Sequence, residues 1–247
     1  AACLRFGVNN PAGCANLESL SNGVGADMAA RLRAPVEMLP ILSAALDRGD
    51  ELHGQVAAVQ AAIVGVFDDA LADTSKTYLE AATQFGLNIV MATAALMLGA
   101  GAGVTGSTMV TACGGNGQRL GYQTADAAGQ WITVPATAPI GPKMNDAARA
   151  LPAIGDSAVI DALGFGAACL RFAPSLGDGL RGWIDDAFFT PAAHAPFIGR
   201  HPAFPQDELK LGLDIARPAP VLGIMLGMVE AGGTEGLIGR GVASWTP

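Results

Sequence analysis

The densest group of residues able to do chemistry is Gly49-Asp50-Glu51-Leu52-His53. A histidine beside carboxylates is the usual means of moving a proton near neutral pH. Gly49 stops one helical pattern and Asp50 can N-cap the next, so capping explains part of the cluster without any chemistry. On that reading Glu51 and His53 project from the first turn of the new helix. Asn116-Gly117 is first a turn signal, although a side-chain amide such as that of Asn116 can also polarise a carbonyl. Ile154-Gly155-Asp156-Ser157 sets Asp156 and Ser157 at a helix start, where the pair serves equally as caps or as part of an anion site.

Other combinations carry less. Gly101-Ala-Gly103-Val-Thr-Gly106 has dinucleotide spacing, but a helical pattern precedes it and a strand pattern follows, the reverse of what that motif needs. It reads as a flexible connection whose Ser107 and neighbours can offer donors to an anion. His194 and His201 sit in a Pro-rich stretch with no ligand spacing, so no metal and no cofactor is expected. Ser157 has no histidine within local reach, and Gly-x-Ser-x-Gly is absent, so no serine-hydrolase triad is supported.

The elements that must position these residues change character along the chain. From residue 26 to about 100 the pattern is helical. Val56, Val59, Ile63 and Phe67 mark one apolar face of a helix running from Asp50 to about Ala72, and Ser75 can cap another. Residues 1–25 read as irregular. After Gly106, Met109–Ala112, Leu120–Tyr122 and Trp131–Val134 read as strands. Asp156 opens a helix to about Phe172, and Leu180–Phe189 is another. His194–Asp207 is a loop, and Leu211–Ile215, Val221–Met228 and Leu237–Ala243 are late strands. The expectation is an α+β fold: a mainly helical segment (residues 1–104, with a helical subdomain over 26–100), then a mixed domain (residues 105–247) with a predominantly antiparallel sheet.

Composition bounds the rest. In 247 residues, 51 % are hydrophobic and 15 % charged, which suits an oligomer with a large interface. No charge falls between Phe85 and Gly106. The interrupting glycines and the lack of a basic flank make this a buried core helix rather than a membrane span. A net charge of −8 with scattered cations argues against nucleic acid. Cys3, Cys14, Cys113 and Cys169 have no metal-type spacing. They read as reduced thiols, with a Cys3–Cys14 disulfide as the alternative. With no signal peptide, a cytoplasmic location is expected. The opening at Ala1, without methionine, reads as a piece of a longer chain or as numbering that skips upstream residues.

Several stretches, in order, resemble the YlbE-like family found beside FdrA-type proteins. They are Gly49-Asp50-Glu51-Leu52-His53; Leu87-Asn88; Met109-Val110-Thr111-Ala112 with Asn116-Gly117; Trp131 with Val134-Pro135-Ala136; Ile154-Gly155-Asp156-Ser157-Ala158; His201-Pro202-Ala203-Phe204-Pro205 with Gly212-Leu213-Asp214-Ile215; and Gly236 to Gly241. The resemblance implies a subunit of oxamate carbamoyltransferase in allantoin catabolism, which moves a carbamoyl group between oxalurate and phosphate. It also implies a small anionic substrate, a homo-oligomer and an FdrA-like partner. It places His53 as acid/base with Glu51 orienting it, Asn116 on the carbonyl, and Asp50, Asn88, Ser107, Gly117, Asp156 and Ser157 around the substrate. An amidohydrolase and a non-catalytic scaffold are the alternatives. The family has a further N-terminal half not seen here, and an Ala-Arg pair where this chain has Gly114-Gly115, so the resemblance leaves the anion site short of a cation.

Overall fold

The computed structural model describes residues 11–32, 34–67 and 70–247. Helices come first. They are α1 (Pro11–Glu18), a π-helical turn (Ser19–Val24), α2 (Gly25–Arg31), α3 (Met38–Asp47), α4 (Ala57–Phe67), α5 (Asp73–Ala81) and α6 (Gly86–Gly99). The strands β1 (Val110–Asn116), β2 (Arg119–Thr124), β3 (Ile132–Pro135) and β4 (Ile154–Gly155) follow. They pair antiparallel in the order β3-β2-β1-β4. A six-residue helix, α7 (Ala158–Leu163), then leads into a 3-10 segment (Gly166–Phe172) and α8 (Pro174–Leu180). Two antiparallel pairs close the chain: β5 (Phe197–Gly199) with β6 (Leu211–Leu213), and β7 (Gly223–Val229) with β8 (Leu237–Ser244). The expected α+β architecture is what the chain adopts.

Helical periodicity places the core. Val56, Val59, Ile63 and Phe67 are all buried, as are Val90, Ala94 and Leu98 of α6 at four-residue intervals. These residues join a single buried cluster with Ile224, Val242 and others from the sheets. Between the helices and the sheets lies α7, all six of its residues buried, packed against α6, β1, β6 and β7. Gln60, a polar residue inside α4, ties the helical layer together. Its Nε2 donates to Leu79 O (2.8 Å) and its Oε1 accepts from Gly86 N (2.7 Å). Among the described residues no single helix is long and apolar enough to cross a membrane; α5 and α6 pass that test together but are bent by 83°.

Several boundaries differ from the sequence reading, each for a local reason. Residues 11–24 are helical rather than irregular, since Pro11 suits a first helical position, where its missing N–H is not needed. Residues 1–10, and with them Cys3 and its pairing with Cys14, lie outside the described residues. The helix expected from Asp50 starts at Ala57. Asp50 caps it from afar, its Oδ2 accepting from Ala58 N (2.8 Å) and Val59 N (3.1 Å). The stretch 197–199, read as loop, pairs with β6. The expected Leu180–Phe189 helix is instead α8, a turn and a 3-10 segment (Asp186–Phe189).

The helix expected from Asp156 to Phe172 breaks at Gly164 and Gly166, both at positive φ (+121° and +58°). A Cβ on Gly166 would overlap the carboxylate of Asp161, so this position needs glycine for space as well as for backbone angle. Gly65, inside α4, has open space around it. Gly166→Ala is therefore expected to cost at least about 2 kcal/mol, while Gly65→Ala stabilises by about 0.5–1 kcal/mol. Urea denaturation of the two variants checks the opposite signs, and equal effects would refute the crowding argument.

Candidate functional site

Asp161 projects from α7 into the interior, where a carboxylate must find donors. It finds three. Oδ1 accepts from Ala167 N (2.8 Å) and Met225 N (3.1 Å), and Oδ2 meets His53 Nδ1 at 2.6 Å. Because the carboxylate is the acceptor, the ring proton belongs on Nδ1, which leaves the Nε2 lone pair available. Nε2 has no partner among the described residues, and His53 lines a cleft of about 550 Å³. The arrangement holds an imidazole at a cavity wall by a buried carboxylate, a pairing that can serve proton transfer in acyl transfer.

His53 sits in the loop 50–56 between α3 and α4, not on the first turn of a helix. Leu52 takes a positive φ (+74°) there, and the loop is pinned by its own acids. Asp50 caps α4, as above, and is buried. Glu51 is fully buried and folds back onto the loop: Oε1 accepts from Gly54 N and Oε2 from Gln55 N (2.8 Å). Burial outweighs these bonds and raises the Glu51 carboxyl to about 7. The carboxylate that holds His53 is thus Asp161, 108 residues away, while Glu51 shapes the turn that carries it.

The cleft has a helical wall from α1 and the α5–α6 corner, and a sheet wall from residues 154–157, β7 and β8. His53, Asn88, Asp156 and Ser157 all line it. Asn88 donates from Nδ2 to Phe85 O (3.0 Å), Asp156 is exposed and Ser157 half-buried. Asn116, Gly117 and Ser107 are not brought in. The Asn116 Oδ1 accepts from Gln118 N (3.0 Å) and Arg119 N (2.8 Å), which fixes the β1–β2 hairpin with Gly117 at φ +82°. The Ser107 hydroxyl accepts from Met109 N (3.4 Å). Sequence reasoning missed two residues. Asp161 gave no local signal beyond a polar residue in an apolar helix, and Arg240, which lines the cleft from β8, lies far along the chain.

A second histidine is bound up in structure. His194 Nε2 donates to Gly164 O (3.0 Å), and burial holds its pKa down at about 4. Cys169 Sγ lies 3.9 Å from that nitrogen and donates to the same carbonyl, and burial pushes the thiol well above its ordinary value. Both groups are neutral, unlike a thiolate–imidazolium nucleophile. Among the described residues no three His, Cys, Asp or Glu side chains are grouped to hold a metal.

Residues 1–157 match the family model for AllG, described as oxamate carbamoyltransferase subunit AllG. The protein of that name from Escherichia coli (strain K12) is 27 % identical over 157 residues, covering 59 % of this chain and 38 % of that protein. The uncharacterized protein YahG of the same strain is 25 % identical, covering 98 % of this chain and 56 % of the relative. The crystal structure of a conserved protein of unknown function from Enterococcus faecalis V583 aligns with a TM-score of 0.86 at 22 % identity. That alignment covers 98 % of this chain and 63 % of the other, and the likeness is one of fold. The chain thus spans less than two thirds of the length of each of these relatives. His53, Asp156 and Ser157 fall inside the family match, and Asp161 and Arg240 lie beyond it.

The raised Glu51 carboxyl has a measurable consequence. The folded chain keeps a proton there that the unfolded chain loses near pH 4.5. Its contribution to stability is complete below that pH and is lost as pH rises toward about 7. Removing the ionisable group should therefore stabilise the protein at pH 8 relative to pH 4.5, by up to about 3 kcal/mol. Denaturation curves of wild type and Glu51→Gln across that range test this; a constant difference between them would show that folding does not shift the Glu51 carboxyl.

Proposed function

The chain belongs to the AllG family of oxamate carbamoyltransferase subunits, and on that premise we propose that it is a subunit of a carbamoyl-transfer enzyme acting on a small anionic ureido or amide substrate. The observation that carries the reading is the His53–Asp161 pair at the wall of the cleft, with no partner on Nε2 among the described residues. In the direction that consumes oxalurate, a phosphate oxygen attacks the carbamoyl carbon and the bond from that carbon to the amide nitrogen breaks. His53 Nε2 takes the proton from the attacking phosphate and returns it to the departing nitrogen, giving carbamoyl phosphate and oxamate. The same groups serve the reverse reaction. Asp161 keeps the ring oriented and offsets the charge it gains, as a buried carboxylate does behind a catalytic histidine. In this reading Ser157, at the cleft wall, donates to the carbamoyl oxygen.

A partner subunit is part of the proposal, and the YlbE-like resemblance gives it an FdrA-like character. Exposed apolar side chains of the helical layer, among them Leu17 and Leu96, support a covered surface there.

His53→Ala would leave Asp161 short of a donor in the interior, so the cleaner substitution is His53→Asn, whose amide nitrogen can take the place of Nδ1. With the complete set of subunits, this variant is expected to lose carbamoyl transfer by about 10²–10⁴-fold while its melting temperature stays close to wild type. Full turnover would remove His53 from the mechanism. Carbamoyl phosphate formed with phosphate present, against ammonia released without it, separates transfer from hydrolysis.

A further inference from the structure

Arg240 sets a cation at the wall of the cleft. It pairs across the β7–β8 ladder with Gly227, and both residues line the cleft. Among the described residues its guanidinium makes no ion pair, whereas Arg31, Arg181 and Arg217 each meet an aspartate. The side chain is half-buried, and Val242, two positions along on the same face of β8, is buried. Its stem is pressed against the loop that carries His53: a Cβ on Gly54 would stand 3.2 Å from Arg240 Cδ. The strand beneath it is fixed, since Arg240 N donates to Pro142 O (3.4 Å) and the flanking Gly239 and Gly241 lie tight against the 140–143 backbone. The cleft's own aspartate, Asp156, is exposed and does not pair with it.

A guanidinium held at the wall of a cleft with no counter-charge beside it is open to an anion that enters there. We propose that Arg240 is the anion anchor of the cleft, holding the oxyanion of a small substrate in its fork of N–H groups beside His53. The fork suits a carboxylate or a phosphate, the two oxyanions that arginine binds through paired hydrogen bonds. Only the choice between these two rests on the carbamoyl-transfer reading.

The test is calorimetric titration of the whole chain with oxamate and, separately, with inorganic phosphate, for wild type, Arg240→Ala and Arg240→Lys. Wild type is expected to bind at least one of the two, and Arg240→Ala to bind it at least about tenfold more weakly. Arg240→Lys keeps the charge without the fork and should fall between. Loss for oxamate alone makes the anion a carboxylate, and loss for phosphate alone makes it a phosphate; either supports the anchor. Unchanged affinity in Arg240→Ala, or no binding of either anion to wild type at millimolar concentration, overturns it. Because no turnover is measured, the outcome is separable from the proposed function. A chain that binds the anion through Arg240 yet transfers no carbamoyl group would sink the function and leave the anchor standing.

Discussion

A single buried carboxylate holds the site together. Asp161 lies in the interior on a short helix, and its oxygens must be satisfied there or the charge could not remain. Each donor that satisfies it comes from a different part of the chain: His53 from the loop after α3, Ala167 from the 3-10 segment, Met225 from β7. The loop is fastened a second time, because Gly166 N donates to Glu51 O (2.8 Å). The break in the helix at Gly164–Gly166 therefore has a purpose in the packing. It lets backbone approach a carboxylate more closely than any side chain would permit.

The helical half was legible in the sequence because its signal is periodic. The Val56–Phe67 face, the strands around Asn116 and the late hairpin all follow from local pattern. His53 could be singled out by type, but its partner could not. A carboxylate beside it in sequence, Glu51, looks like the natural choice, and only the tertiary fold reveals that Glu51 turns inward onto the Gly54 and Gln55 amides. Asn116 is read by type as an amide for a carbonyl, and in the fold its Oδ1 accepts from the hairpin's own Gln118 and Arg119 amides. Arg240 was hidden for a simpler reason, since no local pattern tells which face of a late strand will meet a loop from the first quarter of the chain.

The cleft divides its labour between layers. The helical wall supplies amides and apolar side chains around a bend, while the sheet wall supplies Ser157 from the turn into α7 and Arg240 from a strand paired on both sides. Arg240 is held by its strand, and His53, which sits on a loop, is held by Asp161.

The span between His53 and its partners also sets an order in time. A chain emerging from its amino end presents the helices first, and these close on local contacts. Asp161 is made 108 residues after the histidine it orients, and its last donor, the Met225 amide, later still. Until Asp161 and Gly166 have arrived, the loop that carries His53 lacks both of these fastenings. The fixed orientation of this imidazole is thus a property of the finished molecule, and a nascent or partly unfolded chain carries the residue without its partner.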